Sequence, residues 1–161
     1  QNMKSSERKR LILEISGSSQ IGFNASTLLN DLVLIESEKY LEENGRPYSV
    51  RSAKKHQMKK MGDCYRNAGE KIREGYGYVE GYIKHKEYEW KNAHAWNINK
   101  DGSHIDFTLG DASDYEYFGA IIPDRDVYLT GLKNGGIWYC VIPFLSNVVE
   151  QSFRKRKILV K

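Results

Sequence analysis

Asn92 to Leu109 reads NAHAWNINKDGSHIDFTL. In its middle, Asn99 to Ser103, the Asp101-Gly102 pair tolerates the positive φ that a tight hairpin demands. The runs on either side, Asn92–Asn99 and His104–Leu109, mix β-branched and aromatic residues with polar ones, so the stretch predicts two antiparallel strands. Working outward, the same vocabulary predicts strands at Tyr76–Ile83, Tyr117–Ile122 and Ile137–Ile142, and a shorter β-type run at Arg10–Ser16.

The region before Gly75 is written differently. From Asn24 or Ser26, apolar Leu28, Leu29, Leu32, Ile35 and Leu41 recur at helical spacing, Glu and Lys fill the other face, and Asn44-Gly45 supplies the stop. Pro47 bars further helix. Ser52–Met61 is a polar approach segment, helical in part. It leads to a second helix from Cys64 to Arg73 that stops at Gly75, with Asp63 as its expected N-cap. Helices first and a sheet afterwards give an α+β fold, with N-terminal helices packed on an antiparallel β-sheet.

The chain has 161 residues, which suits a single domain over 3–161, with Gln1 and Asn2 ahead of the first methionine set aside. Lys plus Arg number 25 against 21 Asp plus Glu, a net charge of +4. The basic runs at Glu7–Arg10, Lys54-Lys55, Lys59-Lys60 and Phe153–Lys157 are therefore read as solvated surface in preference to a nucleic-acid site. No run approaches the ~20 apolar residues that span a bilayer, and no secretory h-region follows the N-terminus. Two cysteines are too few for a disulfide framework. The expectation is a reducing, cytoplasmic setting with two free thiols, no membrane partner, no cofactor and no metal.

Three residues fall where chemistry needs them. Cys64 opens a helix, whose N-terminal partial positive charge favours a thiolate. His94 lies on the first hairpin strand, where it can carry a proton. Asp106 lies on the second, where a carboxylate can set the ring's tautomer. Trp96 alternates onto the face of His94 and is a candidate wall of the substrate cleft. Cys140, within the apolar run IWYCVIPF, reads as core, and His104 as a surface residue beside the turn.

These motifs resemble the papain-like thiol-enzyme superfamily, in particular its transglutaminase-like core and the small bacterial and phage proteins related to it. DCYRNA is similar to the nucleophile motif, HAWN to the histidine strand, SHIDFTLG to the strand bearing the acid, and YVEGY (Tyr78–Tyr82) to the strand before the histidine. The order Cys, His, Asp agrees. The resemblance implies a papain-like core and a Cys64-His94-Asp106 triad, with Gln57 as a candidate oxyanion donor. The implied activity is thiol-dependent hydrolysis of an amide or related acyl bond by a peptidase, amidase or deamidase, on a protein, peptide or small amide substrate. Tyr65 stands where transglutaminases carry tryptophan, and Gln57 is one residue further from the nucleophile than in papains. The alternatives are a transglutaminase-like acyltransferase, and a non-catalytic scaffold that binds protein or nucleic acid.

Overall fold

The computed structural model describes residues 3–16, 23–133 and 140–145. Its element order is α1 (Ser5–Ser16), α2 (Phe23–Asn44), β1 (Arg46–Tyr48), β2 (Val50–Ser52), α3 (Cys64–Lys71), β3 (Gly77–His85), β4 (Lys91–Ile98), β5 (His104–Asp106), β6 (Tyr115–Ile122) and α4 (Asp124–Lys133). The sheet runs β1-β6-β3-β4-β5-β2. β1 and β2 stand at opposite ends of that order, yet only Ser49 joins them in sequence. The sheet must therefore curl until its two edges adjoin.

The curl separates two apolar environments. Within the sheet, Val79, Ile83, Trp96, Leu109, Ala112 and Tyr117 pack together. On the helix-covered side, Leu41, Ala68, Ile72, Tyr78, Ala95 and Ile122 do the same. The alternation of strand side chains produces this division: Tyr78 faces the helices and Val79 the interior. Each fully buried aliphatic side chain contributes roughly 1.5–3 kcal/mol. Asn30 fastens α2 to the start of β4, its Oδ1 accepting the Ala93 amide at 2.6 Å and its Nδ2 donating to the Lys91 carbonyl at 3.3 Å.

The α+β class and the central hairpin agree with the sequence reading, and Gly102 takes φ +87° in the turn. Several expectations are corrected. Arg10–Ser16 is the C-terminal half of helix α1: Ile12 is fully buried against Leu32 and Val33 of α2, and Arg8 pairs with Glu36 at 3.3 Å. A short apolar run carries no periodicity strong enough to distinguish helix from strand. The sheet is mixed, since β2 pairs parallel to β5 (Val50 with His104, Ser52 with Asp106) while the other pairs are antiparallel. Strand β5 ends at Asp106, whose carboxylate captures the amides of Thr108 and Leu109 beyond it. The expected strand Ile137–Ile142 lies partly outside the described residues, and over 140–145 the chain makes a bend and a helical turn. Elements β1, β2 and α4 had no counterpart in the sequence reading.

Candidate active site

Helix α3 begins after a tight turn in which Gly62 takes φ +89° and the Asp63 amide donates to the Lys60 carbonyl. The positive φ is what glycine allows at little steric cost. Asp63 occupies the N-cap position, but its side chain makes no capping hydrogen bond, contrary to the sequence expectation. The first-turn N–H groups of Cys64, Tyr65 and Arg66 precede any intrahelical acceptor, so they remain donors at the helix start. The helix continues into a 3-10 turn over Ile72–Glu74 and ends at Gly75, φ +94°.

Asn67, which follows Cys64 by three residues, is buried and sets the helix in place. Its Nδ2 donates to the Lys60 carbonyl at 2.8 Å and to Thr108 Oγ1 at 3.0 Å. Thr108 lies two residues beyond Asp106, so one amide side chain ties the cysteine helix to the acid-bearing segment.

His94 and Asp106 are both buried, and His94 Nε2 lies 2.7 Å from Asp106 Oδ2. The same Oδ2 accepts the Tyr117 hydroxyl at 2.7 Å, while Oδ1 accepts the amides of Thr108 (2.7 Å) and Leu109 (3.1 Å). Burial alone would raise the Asp106 carboxyl. The bond to His94, the charge on that ring and the other donors outweigh it and hold the carboxyl below its usual range. Burial likewise opposes charge on His94, but hydrogen bonds to Asp106 and Cys64 overcome it and raise the ring's pKa to about 10. With Nε2 engaged by the carboxylate, Nδ1 is the nitrogen left for the thiol.

Cys64 is half-buried and lines a cleft of about 640 Å³ together with His94, Thr108, Tyr115 and Cys140, with Leu29 and Val33 of α2 on one wall. The structure thus gathers Cys64, His94 and Asp106. It does not bring in the other two sequence candidates. Gln57 is exposed on the 3-10 turn Lys55–Gln57 and is absent from the lining of the cleft. Trp96 shares the face of His94, their rings 6.4 Å apart and 19° from parallel, but it is fully buried and supports the histidine from behind instead of walling the cleft. Its Nε1 donates to His104 Nδ1 at 2.9 Å, and Tyr48 stacks on His104 at 4.1 Å. His104 is accordingly an interior acceptor, not a surface residue.

Three residues that sequence reasoning left without a role complete the arrangement: Asn67, Tyr117 and Glu80. Glu80 is 1% exposed on β3; its carboxylate accepts the Tyr78 hydroxyl at 2.6 Å and the amides of Val141 (2.8 Å) and Ile142 (2.9 Å). Burial dominates and raises its pKa to about 7. The carboxylate fixes the segment that carries Cys140 to the cleft. A glutamate among the aromatic and β-branched residues of YVEGY is the signal that the sequence carries for it.

No family model matches the chain, and neither a curated protein nor a solved structure matches it. Among the described residues, no helix is long and apolar enough to cross a membrane.

Proposed function

We propose that the protein is a thiol-dependent hydrolase of an amide or related acyl bond, built on a papain-like core and working in a reducing, cytoplasmic setting. The observation that carries this reading is the 2.7 Å contact between His94 Nε2 and Asp106 Oδ2, which leaves the ring's other nitrogen for the Cys64 thiol at the start of a helix. A histidine held by a carboxylate beside a nucleophile is the arrangement that activates weak nucleophiles.

In this mechanism the Cys64 sulfur attacks the carbonyl carbon and the carbonyl oxygen becomes an oxyanion. The Cys64 backbone amide, with no intrahelical acceptor, is the donor available to it. Cationic His94 passes its proton to the leaving amine, and the C–N bond breaks to leave a thioester on Cys64. Neutral His94 then takes a proton from water, whose oxygen attacks the thioester, and the acid departs as the thiol re-forms. Asp106 holds the ring in one tautomer throughout. An amine in place of water would make the same site an acyltransferase.

The test is covalent trapping. A p-nitrophenyl ester or vinyl sulfone probe is expected to add to Cys64, as located by peptide mapping, and the adduct should be lost in Cys64→Ser and strongly reduced in His94→Ala. Equal labelling of the His94→Ala variant, or preferential labelling of Cys140, would overturn the assignment and leave the non-catalytic scaffold in its place.

A further inference from the structure

A second cavity, a groove of about 820 Å³, lies beside the Cys64 cleft, and Tyr115 lines both. Three lysines, Lys84, Lys86 and Lys91, line the groove against one carboxylate, Glu116. Among the described residues Lys86 has no ion-pair partner, and Lys84 meets only the fully exposed Glu89 at 3.8 Å. Lys91 lies over the Tyr82 ring at 4.5 Å. Asp111 and Asp114 bear on Tyr115, but neither lines the groove, so they bound the basic stretch and do not neutralise it from within.

A basic groove with aromatic walls can suit either single-stranded nucleic acid or an acidic polypeptide. The rings decide between them. Bases need free aromatic faces, and the rings beside the lysines offer few: Tyr82 stacks on Phe118 at 5.3 Å and carries Lys91, while one face of Tyr48 is covered by His104. What remains available is ammonium charge. Carboxylates on an extended chain use that charge without a stacking surface.

We propose that this groove receives acidic side chains of a polypeptide acyl donor whose reacting amide lies in the adjoining Cys64 cleft. The proposal rests on the thiol-enzyme reading for the chemistry and on the lysines and the shared Tyr115 wall for the substrate class. Surface charge pairs are individually weak, so the groove contributes selectivity and association rate more than tight binding.

Fluorescein-labelled oligoglutamate, oligolysine and oligo-dT of matched length, measured by anisotropy on the Cys64→Ser protein, test the groove itself. Oligoglutamate should bind best and weaken as salt rises. Lys84→Ala with Lys86→Ala should reduce its affinity by about two- to thirtyfold, the range that two surface ion pairs can supply. On the wild-type protein, unlabelled oligoglutamate should slow iodoacetamide labelling of Cys64, and the lysine double variant should lose that protection while its unprotected labelling rate stays unchanged. Oligoglutamate bound no better than oligolysine, tighter binding of oligo-dT at equal salt, or binding without protection of Cys64 would each overturn the proposal. An unreactive Cys64 in the free protein would instead count against the thiol chemistry, and the anisotropy series separates the two failures.

Discussion

His94 Nε2 and Asp106 Oδ2 lie 2.7 Å apart in the interior of the curled sheet, and every other acceptor direction on that carboxylate is taken by Tyr117, Thr108 and Leu109. Four donors converge on two oxygens. Asparagine can supply only one acceptor oxygen, and its NH2 would face at least one of those donors, so Asp106→Asn is no mild change here. It is expected to cost about 1–3 kcal/mol in stability, the range for an unsatisfied buried group. It should also lower the His94 pKa by removing the charge that raises it. Urea denaturation and His94 ring NMR over pH measure the two effects; an unshifted His94 titration would show that the carboxylate does not control the ring.

The pH dependence has a definite sign. The folded-state pKa of His94 is raised to about 10 from an ordinary value near 6.5, so its stabilising contribution is complete below about pH 6.5 and is lost as pH rises through about 10. Asp106 moves the other way: its carboxyl is lowered, so its contribution is present above the ordinary carboxylate range and lost as pH falls through the depressed value. Stability should therefore decline in acid through Asp106 and in base through His94. Denaturation midpoints across that span check it, and His94→Gln should flatten the alkaline limb specifically.

Glu80 adds a separate titration. Its folded pKa, raised to about 7 by burial, exceeds the unfolded value of about 4.3; its contribution is complete below that value and lost as pH rises through about 7. Glu80→Gln removes the titration and keeps one acceptor for the amides, so its stability relative to the parent should improve as pH rises across this window. Parallel stability curves would contradict the assignment. Glu80→Ala instead leaves the Val141 and Ile142 amides without their acceptor. Cys140, now 3% exposed and with its thiol pushed up by burial, should then react faster with iodoacetamide than in the parent protein.

What could be read in advance followed from local signals. The α2 periodicity, the Asp101-Gly102 hairpin and the Gly75 stop of α3 are written in neighbouring residues, and with them come Cys64, His94 and Asp106 in order. Curl is not local. Tyr117 reaches Asp106 although β3 and β4 separate their strands in the sheet, and strand alternation gives faces without saying which distant residues a curl brings together. For the same reason the strand positions of Trp96 and His104 are legible in the sequence, but their buried surroundings are not. Glu80 escaped because its partners are backbone amides of remote residues, which no side-chain motif marks. The apolar run in α1 does not distinguish helix from strand by itself, because its burial depends on α2, a tertiary fact.

Packing against the histidine supplies the last test. Gly81 pairs with His94 on β4 and with Gly119 on β6, so two neighbouring positions without side chains lie in the row beside the ring. A Cβ at Gly119 would lie 2.6 Å from Trp96 Cη2 and 2.8 Å from the Glu80 carbonyl oxygen. Backbone cannot retreat within a strand, so the indole must move, and its bond to His104 and its support of His94 move with it. Replacing glycine with alanine gains about 0.4–1 kcal/mol from the unfolded chain where the native site accepts it, whereas overpacking typically costs about 1–3 kcal/mol. Gly119→Ala should therefore be net destabilising, with altered tryptophan fluorescence and slower alkylation of Cys64. Gly110→Ala, whose Cβ would meet nothing within 4 Å, is the control. Equal stability of the two variants would show that the Trp96 ring is not fixed by the glycine beneath it, and that the histidine's backing is looser than the contacts indicate.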